Sequence, residues 1–556
     1  MPTISFSLKD LQNLVGKKLT IGEVENLAHY GKGDFDGYDK KTDEVRIDFG
    51  DTNLPYLWSV EGFSRLIKGI EGKQRGIPKI KLNKSEYNIF VDSSVSKIRP
   101  YISGFIAKGH KIDDYLLRQI IQLQEKLSEN YGRRRQKISI GVYSYDKITF
   151  PVYYKSASPD SVSFEPLGFK EKMSLREILK NHPKGIEYSC ILKDFDKYPI
   201  LADSKEEILS FVPIINSNFT GKLEEGDENI MVEVTGTDIE HVSLASNIFC
   251  YALFERGFQI YPIGIKYRDR KPALPELKNK QYSIIKNGIT KLFGLELADS
   301  EIKTILEKAQ YNVLEIDRNK IKLEIPSYRN DILHQNDVIE DIGIFYGFEN
   351  IQESPLSSFT IGSVLKLNDF VDKVREILIG ANYQEILSPM LSNKSSLYDK
   401  MNIKDFGTVE IDEFMSETYS VVRSWILPDL MNVFSRNKHV SYPQRIFEEG
   451  TVNTRKEDKI FDFNRVAAAS SHEKVDFTEI KQAMDCISRM LNFKYSIEEA
   501  EHGSFVDGRV GRIIVSGKKI GYIGEVHPKV LENFNLEMPV AAMELNLSEM
   551  HSTIQK

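Results

Sequence analysis

The sequence predicts an α+β chain made of several modules, on three observations. Its 556 residues exceed what one hydrophobic core accommodates, since cores stop growing at about 250–300 residues. Helical and strand periodicities both recur along its length instead of one class dominating. Two polar, proline-bearing breaks divide it, Asp269–Pro275 and Ser354–Ser358. Proline blocks helix and sheet ladders there, and its polar neighbours prefer water.

In chain order, Leu8–Val15 and Ser59–Ile70 read as helices, the second with Val60, Phe63, Leu66 and Ile67 on one face. A long helix is predicted over Asp113–Tyr131, striped by Leu116, Ile120, Leu123 and Leu127. Short strands follow at Ile138–Tyr143, Tyr188–Leu192, Ile208–Ile215 and Ile230–Thr235. Beyond the second break, a helix at Leu367–Gly380 precedes strands at Gly511–Ser516, Gly521–Val526 and Val540–Leu545. Core packing accounts for each of these stripes.

Composition narrows the function classes. With 41% hydrophobic and 28% charged residues the chain is ordinary for a globular protein. No apolar run approaches the roughly 18 residues a membrane span needs. The opening Met1–Ser5 has neither a basic stretch nor an apolar core, so no secretion signal is expected. Cys190, Cys250 and Cys486 are far apart and odd in number, which argues against a disulfide framework or a zinc finger and for a reducing, cytoplasmic setting. The net charge of −7 disfavours a wholly basic nucleic-acid-binding surface. Local sign changes remain: Gly132–Lys137 is basic and Glu498–Glu501 acidic. The Arg133–Arg135 run reads as a solvated patch favoured at a helix C-terminus, or alternatively as a contact to nucleic-acid phosphates.

The most chemically pointed stretch runs from Ile325 to Gly347. From Asp337 it reads as a short helix, with Val338, Ile342 and Phe345 at i, i+4 and i+7 and Gly347 as its C-terminal cap. Asp337, Glu340 and Asp341 then share one face and repel, and Asp331 can bend back toward them. Four converging carboxylates ask for a cation, and hard oxygen donors favour Mg²⁺. The plainer alternative is an acidic helix N-terminus, with Arg329 neutralising one carboxylate.

These residues also carry a family resemblance. Pro326–Ile332 (PSYRNDI), Asp337–Asp341 (DVIED) and Tyr346–Gly347 closely resemble the B5 domain of phenylalanyl-tRNA synthetase β subunits. In that family the acids matching Asp331, Asp337, Glu340 and Asp341 hold Mg²⁺ near the contact with the α subunit. Asp51–Gly62 (DTNLPYLWSVEG) resembles the family's N-terminal signature, departing at Leu54 and Tyr56, where Arg and Asp are usual. His182–Gly185 with Glu187–Tyr188, Tyr198–Ser204, Leu209–Ser217 and Glu233–Asp238 are similar to its B3/B4 editing domain. The resemblance implies an N-terminal domain over residues 1–85, an editing domain over 86–268, a B5-like domain over 269–352 and a B6/B7 domain over 353–556.

That last domain is expected to be a degenerate class II synthetase-like antiparallel-sheet domain. Phe370–Gly380 and Tyr383–Pro389 resemble motif 1, and Arg445–Gly450 (RIFEEG) resembles motif 2. Where a motif 3 arginine should support the ATP γ-phosphate, Gly521–Leu531 (GYIGEVHPKVL) offers an acid instead. A phosphoryl-transfer site lacking that cation loses much of its electrostatic assistance, so Arg445 reads as a structural ion-pair residue. The short run Lys172–Leu175 (KMSL) has no class I companion motif and is discarded.

The resemblance therefore implies the archaeal or eukaryotic type of β subunit in an α₂β₂ ligase. The α subunit would join phenylalanine to tRNA-Phe at the expense of ATP. This chain would supply assembly, tRNA binding and hydrolytic editing of Tyr-tRNA. Editing is physically motivated, because an apolar pocket rejects an added hydroxyl by only about 10²-fold. In archaeal relatives the positions matching Leu201, Ser210 and Asn216 line the editing pocket, and Asn216 suits the phenol with both a donor and an acceptor. Glu233 and His182 lie on the same motifs. Two alternatives are a tRNA-binding scaffold without editing and a self-sufficient ligase, the latter opposed by the missing motif 3.

Overall fold

Helices begin where a side chain can satisfy their free amides. Ser7 accepts from the Asp10 amide and opens Leu8–Val15, Ser59 accepts from Gly62 and opens Val60–Ile70, and Asp113 accepts from Leu116 and opens Asp114–Lys126. These contacts come from a computed structural model, which describes residues 2–50, 53–267, 277–353, 355–356 and 358–554. The break at Asp269–Pro275 lies outside the described residues, as do Asp51 and Thr52 of the N-terminal signature and Ser354 and Ser357 of the second break.

Three elements differ from the sequence expectation. The long helix ends its α geometry at Lys126 and closes as a wider π turn, Leu127–Tyr131. The strand expected at Tyr188–Leu192 is helical, because Pro183 opens Pro183–Tyr188 under a His182 cap and the short 3₁₀ turn Ser189–Ile191 follows. Proline at a first helical position gives up only an amide without an intrahelical partner. The expected strand Ile208–Ile215 is split into Ile208–Phe211 and Ile215–Asn216, around Pro213, which cannot donate to a ladder.

The chain is a mixed α/β assembly of several sheets, divided into two units, Met1–Pro355 and Leu356–Lys556. In the first unit a three-stranded sheet places Glu44–Asp48 between Thr3–Ser7 and Asp34–Asp39. A four-stranded antiparallel sheet runs Gln259–Pro262, Tyr101–Lys108, Asn229–Gly236, Ile138–Ser144. A six-stranded mixed sheet runs Ile215–Asn216, Ile208–Phe211, Tyr198–Ala202, Val152–Ala157, Asn88–Val91, Gly264–Tyr267. One hydrophobic cluster joins Ile4, Phe63 and Trp58 to Leu116, Val232 and Phe249, so the stretches expected as separate domains on either side of residue 85 share a core. Near the end of the unit, Lys280–Ile285, Lys320–Ile325 and Asn312–Ile316 form a sheet covered by the helices Asp299–Lys308 and Gln335–Tyr346.

The second unit is built on a seven-stranded sheet, in the order Gln384–Glu385, Gln444–Lys456, Lys459–Ser471, Val540–Asn546, Lys518–Val526, Phe505–Val515, Tyr495–Glu499. All its pairs are antiparallel except the first. Separate apolar clusters contain the helix Phe477–Met490 and the helix Leu427–Arg436. Among the described residues no helix is long and apolar enough to cross a membrane.

Candidate functional site

The first unit encloses a cavity of about 350 Å³. The helix Asp114–Lys126, the strands Ile138–Ser144 and Asn229–Gly236, and the short strands around Pro213 contribute its walls. Most of the lining is apolar, and the polar side chains that reach it include Gln124, Arg135, Ser210, Asn216 and Glu233.

Ser210 and Asn216 face each other in register on Ile208–Phe211 and Ile215–Asn216. The Asn216 amide donates to the Val142 carbonyl at 3.3 Å, and it can approach that strand because residue 221 is glycine, where a Cβ would collide with the Asn216 side chain. Leu201 pairs with Ser210 on the other side. It is fully buried in the core and is not among the residues lining the cavity. His182 also lies outside the lining: its Nδ1 caps the Lys184 amide and its Nε2 lies 3.3 Å from the Leu167 carbonyl.

Glu233 is the chemically unusual group. Buried at 2% exposure in the strand Asn229–Gly236, it takes one hydrogen bond, from the Tyr143 hydroxyl to Oε1 at 2.9 Å. Its Oε2 is buried without a partner in a residue that lines the cavity. The Tyr143 hydroxyl is also 2.9 Å from Ser210 Oγ. Gly141 makes this arrangement possible, because a Cβ there would collide with both the Tyr143 hydroxyl and Glu233 Oε1. Burial pushes the Glu233 carboxyl up to about 7, against the pull of the Tyr143 bond and the charge of Arg99.

Arg135 enters the cavity wall on an unusual turn. Arg133, Arg134 and Arg135 all have positive φ, at 49°, 51° and 64°, a conformation that costs a residue with a Cβ. Buried Arg99 holds the turn by donating to the Arg135 and Gln136 carbonyls at 3.1 and 3.3 Å, and to Thr235 and Ser139 on the neighbouring strands. The Arg135 guanidinium then donates to the Pro213 and Ile214 carbonyls and stacks 4.2 Å from the Tyr188 ring centre. Arg133 and Arg134 stay exposed. Of the basic run, only Arg135 lines the cavity.

The acidic stretch lines a second, smaller cavity of about 60 Å³, to which Asp331, Asp337, Glu340 and Asp341 all contribute. Arg329, buried among them, pairs with Asp331 and, at 2.7 Å, with Asp341. Tyr311 donates to Asp341 at 2.5 Å. Asp337 accepts from the Leu333 and His334 amides at 2.7 and 2.6 Å, and Glu340 lies 3.2 Å from Lys32. Burial raises the Asp341 carboxyl's affinity for its proton despite Arg329. The donor chemistry suits a hard cation, and all four acids line one cavity, although among the described residues no three acidic, histidine or cysteine side chains stand together as a metal-holding group. Arg329 supplies the counter-charge to Asp331 and Asp341. In the second unit, Arg445 pairs with Glu479 at 2.9 Å.

Comparison with known proteins decides the family. The chain is 42% identical over 556 residues to the phenylalanine–tRNA ligase β subunit of Pyrococcus horikoshii, covering 99% of this chain and 100% of that one. The chain belongs to the phenylalanine–tRNA ligase β-subunit family. The corresponding protein of Thermococcus onnurineus is 41% identical, over 99% of each chain. Two family models match, the tRNA synthetase B5 domain over residues 284–348 and the phenylalanyl-tRNA synthetase beta chain CLM domain over 352–547. The crystal structure of an N-terminal fragment of the Pyrococcus horikoshii β subunit superposes with a TM-score of 0.60 at 42% identity, covering 62% of this chain and 99% of the fragment.

The departures from the β-subunit signature meet the acidic stretch in space. Leu54 and Tyr56 both line the smaller cavity, and the Tyr56 ring centre lies 5.5 Å from the Arg329 guanidinium. Tyr143, Gly141 and Arg99 were not legible as site residues, because their roles depend on partners distant in sequence. The one local signal was Glu233 itself, a lone acid inside the apolar run Ile230–Val234.

Because the folded chain binds the Glu233 proton more tightly than the unfolded chain does, this group makes stability fall as pH rises from about 4.5 to about 7. The full effect is about 3 kcal/mol. Glu233→Gln should flatten that slope in urea denaturation of the full chain, leaving stability below pH 4.5 little changed. An unaltered slope would place the carboxyl's titration elsewhere.

Proposed function

We propose that this chain is the editing and assembly subunit of a phenylalanine–tRNA ligase, hydrolysing Tyr-tRNA in the first unit's cavity while an α subunit joins phenylalanine to tRNA-Phe. The observation that carries this reading is the unpartnered Glu233 Oε2 in a residue lining an otherwise largely apolar cavity. A tyrosyl ring can fill the apolar space and donate its phenol proton to that oxygen. A phenylalanyl ring in the same place leaves Oε2 unpaired, a penalty of about 1–3 kcal/mol for a neutral group and more for a charged one. A site built to bond a hydroxyl rejects the analogue lacking it far better than an apolar pocket rejects an added hydroxyl.

No cysteine or histidine is among the lining residues, so the reading uses bound water, not a covalent intermediate. The Asn216 amide and the Arg135 guanidinium are among the lining groups able to orient the ester and that water. Replacing Asn216 with alanine should lower Tyr-tRNA hydrolysis by the reconstituted ligase about tenfold or more, with Phe-tRNA formation unchanged. Hydrolysis at the parental rate would remove Asn216 from the site. Absence of hydrolysis in the parent complex would favour a tRNA-binding scaffold instead.

The second unit is read as a class II synthetase-like domain that packs and does not catalyse. Its motif 2 arginine, Arg445, is engaged by Glu479, and in the motif 3 region Glu525 accepts from Arg509 at 2.5 Å. Mg²⁺ at Asp331, Asp337, Glu340 and Asp341 belongs to the same proposal, supported by their shared cavity and their hard oxygens. It requires Lys32 to release Glu340 and Arg329 to turn from Asp341. The melting temperature should then rise with millimolar Mg²⁺ in the parent chain and not in Asp337→Asn. Indifference to Mg²⁺ would leave Arg329 and Lys32 as the counter-charges of the cluster.

A further inference from the structure

The second unit contains a cavity of about 340 Å³ that neither the editing reading nor the assembly reading uses. It opens on one face of the seven-stranded sheet, where strand register sets side chains in a row: Arg512 opposite Tyr522, and Tyr522 opposite Glu544. Arg465 follows on the next strand, opposite Asn546. Trp425, His502 and Phe505 complete the wall from outside the row. A volume near 340 Å³ lies at the small end of the range for ligand pockets, about 300–1,000 Å³.

The polar groups here are only partly satisfied. Arg512 stacks its guanidinium 4.0 Å from the Tyr522 ring centre, yet has no carboxylate partner among the described residues, and its Nε is buried without a hydrogen bond. Arg465 pairs through Nη1 with Glu544 at 3.0 Å, and its Nε is likewise buried and unpartnered. The second oxygen of Glu544 is already occupied by the Ile426 and Leu427 amides, both at 2.9 Å. Glu549, half-buried in the same wall, has no ion-pair partner among the described residues. His502 adds bulk without charge at neutral pH, because burial, aided by Arg512, pushes its imidazole down to about 4.

We infer that this cavity binds a small aromatic α-amino acid, its ring among Trp425, Phe505 and Tyr522, its carboxylate on Arg512 and Arg465, and its ammonium at Glu549. Arginine's planar fork matches a carboxylate, and each orphaned buried donor carries a desolvation cost that such a ligand removes. A phosphate ester fits less well. Its second negative charge would face Glu544 and Glu549, and like charges in a partly dry site repel strongly.

Isothermal titration calorimetry on the full 556-residue chain tests this, with L-phenylalanine, 3-phenylpropionate and AMP as separate titrants. L-phenylalanine should bind saturably. Glu233→Gln, which alters the first unit's cavity, should leave that affinity unchanged. Arg512→Met should weaken both phenylalanine and 3-phenylpropionate about tenfold or more. Glu549→Gln should weaken phenylalanine alone, because 3-phenylpropionate has no ammonium, and this near-isosteric change keeps the test decisive should Arg512→Met misfold. No saturable heat with phenylalanine, saturation by AMP alone, or phenylalanine binding that survives Glu549→Gln undiminished would each overturn the inference.

Discussion

The structure of the first unit turns on one buried carboxyl that is only half satisfied. Glu233 has a single donor, the Tyr143 hydroxyl at 2.9 Å, and a second oxygen with none. A buried polar atom left without a partner is costly. Here the unpartnered oxygen belongs to a residue of the cavity wall. Gly141 leaves room for the Tyr143 contact, and the buried Arg99, just before the strand Tyr101–Lys108, eases ionisation. The result is a carboxyl that exchanges its proton near neutrality while facing an apolar space, a combination that an incoming hydroxyl satisfies and a hydrocarbon edge does not.

Arg99 links that carboxyl to the rest of the wall. Its donors fix both the strand carrying Thr235, two residues beyond Glu233, and the left-handed turn that carries Arg135. Other buried arginines recur as fixed counter-charges: Arg329 with Asp331 and Asp341, Arg256 with Asp10 and Glu61, Arg423 with Glu448 and Asp429. Burial raises Asp429 to about 7 even beside Arg423. Such buried pairs add little net stability, since desolvation offsets much of their attraction. Their contribution here is geometric, because each fixes where a strand or loop stands relative to another.

Much of the fold was legible because its signals are local. Ser7, Ser59 and Asp113 mark helix starts through their own side chains, and the stripe from Leu116 to Leu127 marks a buried helical face. The acidic stretch and the segments similar to a B3/B4 domain stood out through family resemblance, and Ser210 and Asn216 do share a cavity. What failed was non-local. Tyr188–Leu192 has strand-like composition, but Pro183 and His182 upstream impose a helix start. Arg135 could be placed only once three successive residues were seen to take positive φ, which no arginine run announces. The four acids do share a cavity, and Arg329, whose pairing with one of them the sequence already offered, stands with Asp331 and Asp341.

The central claim is that Glu233 distinguishes the two aminoacyl groups through a single oxygen. The most direct measurement compares the deacylation rates of Tyr-tRNA and Phe-tRNA by the αβ complex carrying wild-type Glu233 or Glu233→Leu, which keeps the bulk and removes both oxygens. The account predicts that the preference for Tyr-tRNA collapses about tenfold or more, with Phe-tRNA hydrolysis rising as the apolar cavity accepts it. A preference for Tyr-tRNA that survives the leucine substitution intact would contradict it.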